Sequence, residues 1–196
     1  MNGVMGEDGS PAVVRVCRAD GAAMGAGFLV TPNLVGTCAH VLDGIEGSVL
    51  LEFPLLARRD GEPVPSVTAE VLSLRPPQAD DTGDTALLVV RTPLPPGAEP
   101  APLAATSGRW DDEVRIFGFP GPYEHGIWVS GRLKSWQGSG WKQMESQPGH
   151  PAIAPGFSGS PVWSSRLKAV IGMTVATHNE PDATTAYLLP VERLAE

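Results

Sequence analysis

The segment Pro155-Gly156-Phe157-Ser158-Gly159-Ser160-Pro161 holds a serine between two glycines. A serine hydroxyl becomes a nucleophile only in a tight turn whose neighbouring amides point at the developing oxyanion. Gly156 and Gly159 permit such a turn, although an ordinary loop is the alternative in a chain with 23 glycines. The segment is not the Gly-x-Ser-x-Gly elbow of α/β-hydrolases, because its fifth residue is Ser160 and the following residues predict a strand, not a helix.

His40 is a second candidate, and it follows the apolar run 34–39. We interpret this run as a strand, whose end would hold the imidazole at the rim of a sheet on a fixed backbone. Such a position suits a general base. The alternative is a histidine that is hydrogen-bonded within an ordinary turn and has no catalytic role.

Asp84 stands directly before the apolar run 85–90. A carboxylate at the start of a strand can be buried if a partner neutralises its charge. Asp80 and Asp81, in the polar turn just before it, are competing candidates. A solvated turn carboxylate is the alternative for all three.

The composition favours an all-β protein. The 196 residues include 23 glycines and 20 prolines, which is typical of many short strands joined by turns. The net charge of −8 gives no basic surface for nucleic acid or an anionic membrane. We see no signal peptide and no apolar run of the roughly 18 residues that a membrane span needs. We therefore expect a cytoplasmic protein that binds neither nucleic acid nor membrane.

The strand signals fall into two similar halves of one domain, residues 1–196. Four prolines between Pro93 and Pro100 exclude regular structure there, so we assign a crossing segment to about 93–108. The halves, at about 11–92 and 109–190, predict two small antiparallel barrels or a sandwich, followed by a short helix near the C-terminal end of the sequence. The predicted strands are 12–17, 27–30, 34–39, 48–53, 66–74 and 85–91, then 113–117, 126–133, 160–163, 168–176 and 184–189, with weaker candidates within 135–146 and 152–154.

The three candidates occur in the order His40, Asp84, Ser158, which is the order of the chymotrypsin triad. The first interval is 44 residues and the second is 74, against roughly 45 and roughly 90 in that triad. The shorter second interval indicates trimmed surface loops. The chain resembles a chymotrypsin-fold (trypsin-like) serine peptidase of the compact bacterial type, similar to HtrA-type protease domains. The motifs that carry this resemblance are 25–30, 37–40, 84–88, 118–120, 156–161 and 170–172.

This resemblance implies two antiparallel six-stranded β-barrels with the active site in the cleft between them. In such enzymes the equivalents of His40, Asp84 and Ser158 are the base, the orienting acid and the nucleophile. The backbone N–H groups of Gly156 and Ser158 would form the oxyanion hole.

Two positions in the serine segment depart from the family pattern. Phe157 stands where activated trypsins have an aspartate that pairs with a new amino terminus, so we expect no activation by cleavage. Control would instead come from loops or from a partner domain. Ser160 stands where many relatives have glycine, and its β-carbon should constrain the turn slightly.

The resemblance also places the S1 pocket. One wall would come from Ala152 and Ile153, and the facing wall from Thr174, Val175, Ala176 and Thr177. None of these residues is charged, so a buried Arg or Lys at P1 would have no counter-ion. We expect an apolar P1 residue, with an acidic one as the alternative if His178 faces the pocket.

Cysteine and histidine usage predicts neither a metal site nor a cofactor. Cys17 and Cys38 are too few for a disulfide scaffold, and the four histidines show no zinc-ligand spacing. We expect both cysteines to be buried free thiols. A disulfide between neighbouring strands is the alternative, disfavoured in a reducing compartment.

The leading functional hypothesis is a serine endopeptidase that cleaves protein substrates through an acyl-enzyme. There are two alternatives. One is a non-peptidase serine hydrolase, and the other is a catalytically silent or partner-activated interaction domain of the same fold. Because the sequence ends soon after the last motif, we also consider a protease module of a larger regulated or defence-type effector.

Overall fold

The computed structural model describes residues 9–45, 47–56, 59, 61–78, 83–106, 108–138, 140–177 and 184–194, with only the backbone of 176 and 177. It is an all-β structure of two closed antiparallel barrels, each with six strands, as predicted. The first barrel consists of β1 (Val13–Cys17), β2 (Ala23–Thr31), β3 (Leu34–Thr37), β4 (Ser48–Glu52), β5 (Ser66–Arg75) and β6 (Thr85–Val90). The second consists of β7 (Glu113–Gly118), β8 (Ile127–Trp136), β9 (Lys142–Ser146), β10 (Pro161–Ser164), β11 (Ala169–Thr177) and β12 (Thr185–Pro190).

The strand order is the same in both barrels, apart from the direction in which it is followed. In the first barrel the neighbours run β1-β2-β3-β6-β5-β4, and β1 pairs with β4 to close the ring. In the second they run β10-β11-β12-β9-β8-β7, and β10 pairs with β7. Closure leaves none of the described strands at an unpaired sheet edge, which removes the main aggregation hazard of an all-β chain.

Several predicted elements differ from those observed. The apolar run 34–39 is not one strand: β3 ends at Thr37, and Ala39–Leu42 forms a 3₁₀ turn. The weaker candidate within 135–146 is the end of β8 followed by β9, whereas 152–154 forms no strand. The predicted short helix is confirmed as α1 (Val191–Leu194).

The barrels share an apolar core at their junction. Side chains of β1 to β6 pack in one cluster with Trp163, Met173 and Val175 of the second barrel. A separate cluster fills the second barrel around Ile116, Leu133 and other buried residues. No described helix is long and apolar enough to cross a membrane.

The crossing segment is hydrogen-bonded to both barrels. Ala101 N–H donates to Leu29 O of β2 at 2.9 Å, and Ala104 N–H donates to Val170 O of β11 at 3.0 Å. Val170 N–H in turn donates to Pro102 O at 2.8 Å. These bonds attach the crossing segment to one strand of each barrel.

Candidate active site

The side chains of His40 and Asp84 are hydrogen-bonded. His40 Nδ1 lies 2.8 Å from Asp84 Oδ2 and 2.9 Å from Oδ1, and the His40 backbone N–H donates to Oδ1 at 3.1 Å. A carboxylate at Nδ1 keeps a proton on that nitrogen and leaves Nε2 able to accept one. The pair therefore has the geometry of a general base with an orienting acid.

Asp84 is buried and its backbone is strained. Its φ of 55° lies in the left-handed region, which costs a residue with a side chain roughly 1–2 kcal/mol. Gly83 before it has φ 80°, and a β-carbon there would come within 2.2 Å of Pro76 O. This tight turn directs the carboxylate toward His40. Asp80 and Asp81, the competing candidates, lie outside the described residues.

His40 lies in the 3₁₀ turn, one residue into it, and not at a strand end as predicted. Its side chain is 37% exposed, whereas that of Asp84 is 5% exposed. The hydrogen bond to Asp84 raises the pKa of His40 above its usual value, and the charges of Asp84 and Asp43 act in the same direction against the opposing effect of burial. The imidazolium form is therefore stabilised where a general base must transiently carry a proton.

Two glycines shape the turns around Ser158. Phe157 N–H donates to Ala154 O at 3.1 Å, and Gly156 at the third position has φ 105°, which is the pattern of a type II turn. A β-carbon on Gly156 would lie 2.5 Å from Phe119 O. At Gly159 (φ 85°) it would lie 1.9 Å from Ala26 O, so backbone of another strand occupies the space of a side chain.

Backbone hydrogen bonds hold the serine segment between the barrels. Ser158 O accepts from Ala26 N–H of the first barrel at 2.9 Å, and Gly159 N–H donates to Thr174 O of the second at 2.9 Å. Thr174 N–H donates to Ser160 O at the same distance. Ser158 is therefore fixed by main-chain contacts from both sides of the cleft.

The backbone N–H groups of Gly156 and Ser158 make no hydrogen bond to any residue that the structure describes. Their neighbours Phe157 and Ser160 both donate within the loop. Unbonded amides on a rigid turn can donate to an anionic oxygen without first breaking a bond to protein. These are the two amides predicted for an oxyanion hole.

Ser158 and His40 are brought to the same part of the cleft but are not hydrogen-bonded. A β-carbon on Gly25 would touch both Val41, the neighbour of His40, at 2.8 Å and Ser158 O at 3.0 Å. Among the described residues, Ser158 Oγ makes no hydrogen bond to the ring of His40. Such contacts are often long before substrate binds and tighten in the complex.

Two residues beside Ser158 stabilise the loop in ways the sequence did not reveal. Phe157 is fully buried in the core of the second barrel, against Gly118. Ser160 is also fully buried, and its hydroxyl donates to Phe117 O at 2.7 Å. A glycine at this position could not make that bond.

The structure places several predicted S1 residues inside the barrels. Ile153 is 1% exposed and packs in the core of the second barrel, and Val175 packs in the shared core. Thr174 is buried, and its Oγ1 has no hydrogen-bond partner among the described residues. These side chains pack in the barrel cores, and the assignment of Ile153, Thr174 and Val175 to the S1 walls stays a prediction.

The remaining S1 predictions stay predictions. Ala152 is half-buried in the loop before the turn that carries Ser158. Ala176 and Thr177 pair through their backbones with Tyr187 and Ala186 of β12. His178 lies outside the described residues.

Cys38 was predicted as a buried free thiol, and it is one, as is Cys17. Its thiol donates to Thr174 O at 3.2 Å, and its Sγ, a ring nitrogen of His40 and a carboxylate oxygen of Asp84 all lie within 4.8 Å of one another. No local pattern indicates this cluster, since residue 84 is far from the other two along the chain. These three residues are a set that could hold a metal ion.

A cavity of about 560 Å³ opens beside the turn that holds Gly156. It lies between the barrels and is lined by Arg15, Met24 and Gly25 on one side and Tyr123 and Gly156 on the other. Arg15 forms an ion pair with Glu52 and also donates to Glu124 O at 2.7 Å, so it bridges the two walls.

A family model described as a trypsin-like peptidase domain matches residues 25–173. The chain belongs to the trypsin-like peptidase family. The match includes His40, Asp84 and Ser158, and it confirms the resemblance to chymotrypsin-fold serine peptidases.

Solved structures of proteases share the fold. The Rv3671c protease in its inactive form is 23% identical, with a TM-score of 0.69 over 95% of this chain and 86% of that one. The active form of Rv3671c from M. tuberculosis is 21% identical, with a TM-score of 0.65 over 95% and 78%. The HtrA-type protease AlgW, solved with a decapeptide, is 15% identical, with a TM-score of 0.71 over 95% and 62%. The comparison with curated proteins returned no match.

Proposed function

We propose that this trypsin-like domain is a serine endopeptidase that uses Ser158 as nucleophile, His40 as general base and Asp84 as orienting acid. The observation that carries the proposal is the His40–Asp84 hydrogen bond of 2.8 Å at the edge of a cleft that also holds Ser158. Family membership supports peptide bonds as the substrate.

The first half of the reaction forms an acyl-enzyme. His40 Nε2 takes the Ser158 proton as Oγ attacks the scissile carbonyl, and the carbonyl oxygen becomes an oxyanion that accepts from the N–H groups of Gly156 and Ser158. The imidazolium then gives its proton to the leaving amine, and the C–N bond breaks. Water repeats the sequence in the second half, which releases the acid and restores the Ser158 hydroxyl.

Asp84 contributes through the imidazole. Its carboxylate fixes the tautomer with the proton on Nδ1 and stabilises the imidazolium that forms during each proton transfer. Burial makes this interaction strong, because little water screens a carboxylate that is 5% exposed.

The unmade bond between Ser158 and His40 favours one second candidate, a domain that is latent until a partner or substrate closes the cleft. In that case the side chains of the triad are present but Ser158 is not yet deprotonated efficiently. Regulatory domains or partner proteins would act by shortening the Oγ to Nε2 distance. A cytoplasmic location also stays a prediction.

Turnover of a peptide library by wild type and Ser158→Ala tests the proposal, with Ser73→Ala, an exposed serine on β5, as the matched control. We expect cleavage by wild type and the control, none by Ser158→Ala, and an apolar residue at P1. A preference for Arg or Lys at P1 would refute the pocket assignment, and cleavage by Ser158→Ala would refute the mechanism. Cleavage only when a candidate partner is added would favour the latent form.

A further inference from the structure

The proposed mechanism leaves one nucleophilic group next to the base unused, the thiol of Cys38. Its Sγ, a ring nitrogen of His40 and a carboxylate oxygen of Asp84 lie within 4.8 Å of one another. Thiolate, imidazole and carboxylate are the three ligand types that zinc takes in proteins. Three ligands plus one water is also a common coordination set for this ion.

Strand pairing holds these ligands together. Cys38 directly follows β3, and Asp84 directly precedes β6, while Thr37 and Ala86 of the two strands are paired. His40 lies in the 3₁₀ turn that continues from β3. The cluster is therefore anchored at the end of a barrel ladder and does not depend on a long loop.

We propose that Cys38, His40 and Asp84 form an inhibitory binding site for a thiophilic divalent cation, represented by Zn²⁺. Tetrahedral zinc with its usual bond lengths separates its ligand atoms by roughly 3.3–3.7 Å. The His40–Asp84 contact must open from 2.8 Å, and the thiol must approach by about an ångström at most. Rotation of the partly exposed imidazole opens the entry route and the His40–Asp84 contact, and the thiol approaches by giving up its hydrogen bond to Thr174 O.

Zinc binding at this site releases one proton, that of the Cys38 thiol. A Zn–S bond replaces the Cys38 S–H bond, and that proton leaves to solvent. Zinc takes the Nδ1 lone pair of a neutral imidazole whose proton is now on Nε2, and Asp84 supplies an oxygen. The Cys38 thiol donates to Thr174 O at 3.2 Å, so it carries the proton that the cation displaces. A coordinating cation deprotonates such a thiol outright.

Zinc in this site would stop the reaction at its first proton transfer. With Nδ1 on the metal and the proton on Nε2, His40 has no lone pair to accept the Ser158 proton. This inhibitory effect rests on the proposed function, whereas the binding of zinc does not. Hard cations such as Mg²⁺ and Ca²⁺ prefer oxygen ligands and should leave activity unchanged.

The structure supplies matched variants for a test. Cys38→Ala removes the thiol at the site, and Cys17→Ala removes the other buried free thiol, which lies beside Glu52 and Arg15. Ser158→Ala keeps all three ligands and removes the nucleophile. Cys38→Ser is a second variant if the alanine protein does not fold by circular dichroism.

Zinc binding is measured by competition with a chromogenic chelator, and Co²⁺ binding by the absorption of a cobalt–thiolate bond. We expect one site in wild type, Cys17→Ala and Ser158→Ala, and an affinity loss of more than about tenfold in the Cys38 variants. The cobalt–thiolate absorption should vanish with Cys38. Equal zinc affinity in wild type and Cys38→Ala would overturn the proposal, as would no binding to wild type at micromolar zinc.

Turnover measured with added Zn²⁺ separates the two proposals. We expect inhibition of wild type and Cys17→Ala that a chelator reverses, and at least tenfold weaker inhibition of Cys38→Ala. Zinc binding that depends on Cys38 in a wild type with no turnover, with or without a candidate partner, would uphold the site and refute the proposed function. Inhibition that is equally strong in Cys38→Ala would overturn the inhibitory site while leaving the proposed function intact.

Discussion

The two barrels build their shares of the candidate site in different ways. The first supplies His40 and Asp84, which are joined side chain to side chain at 2.8 and 2.9 Å. The second supplies Ser158 on a loop held by main-chain hydrogen bonds and shaped by Gly156 and Gly159. The first barrel's share therefore depends on an imidazole and a carboxylate in contact. The second barrel's share depends on glycine at positions 156 and 159, where a β-carbon would collide with backbone oxygens.

The largest effect is expected from removing the nucleophile. Ser158→Ala should lower kcat on the order of 10⁶-fold, because the triad acts as a unit and only binding and oxyanion stabilisation remain. His40→Ala should cause a similar loss. Steady-state turnover, with exposed Ser73→Ala as control, measures both. Wild-type activity in either variant would exclude its assigned role.

A smaller loss is expected from Asp84→Asn, which keeps the shape of the acid but changes its chemistry. An amide at this position stabilises the wrong imidazole tautomer, and kcat should fall by about 10⁴. The control is Asp43→Asn, since Asp43 only adds to the charge around the ring. A change of less than tenfold in Asp84→Asn would show that the buried carboxylate does not orient the base.

Gly156→Ala tests the nucleophile side by adding one carbon. The new atom would lie 2.5 Å from Phe119 O at a φ of 105°, so the turn must shift and its amide must leave the oxyanion position. We expect kcat to fall by about 10²–10³, with KM little changed. Gly138→Ala, where a β-carbon meets nothing within 4 Å, is the control. Equal kcat values in the two variants would contradict the assigned role of this turn.

The pH dependence of kcat/KM should report the His40–Asp84 contact. The base must be neutral, so activity rises with pH through a midpoint above about 6.5, because the hydrogen bond to Asp84 raises the pKa of His40. Below the midpoint each pH unit should cost about tenfold. In Asp84→Asn the midpoint should fall, since the burial that lowers the pKa is then unopposed by that charge. A midpoint that stays in place would contradict this origin of the shift.

The smallest effect is expected from Ser160→Ala. It removes the buried bond to Phe117 O and should lower the free energy of unfolding by about 1 kcal/mol, with kcat changed only a fewfold. Thermal unfolding should show a drop of about 2–4 °C. Unchanged stability would show that a glycine or alanine serves this position equally well.

The sequence predicted the parts of the molecule that depend on local patterns. The strands follow from short apolar runs between turn residues, and β5 and β6 begin at the residues expected. The serine segment was identifiable because glycines on both sides of Ser158 are a local requirement of the turn. Family motifs supplied the pairing of the strands into two barrels, which no local pattern contains.

Features that depend on distant contacts were missed. Cys38 and Ala39 extend the apolar run of β3. Nothing in the local sequence therefore marks where β3 ends or where the 3₁₀ turn that carries His40 begins. The approach of Cys38 to Asp84 results from the pairing of β3 with β6. The packing of Ile153 in the core of the second barrel also depends on contacts with residues distant in the sequence.

The central claim is that the His40–Asp84 pair activates Ser158, and covalent labelling tests it most directly. A fluorophosphonate probe should react with wild type, and mass spectrometry of the digested protein should find the adduct on Ser158. The rate of labelling should fall by several orders of magnitude in His40→Ala, and no adduct should form in Ser158→Ala. An adduct on another residue, or equal labelling rates in wild type and His40→Ala, would contradict the claim.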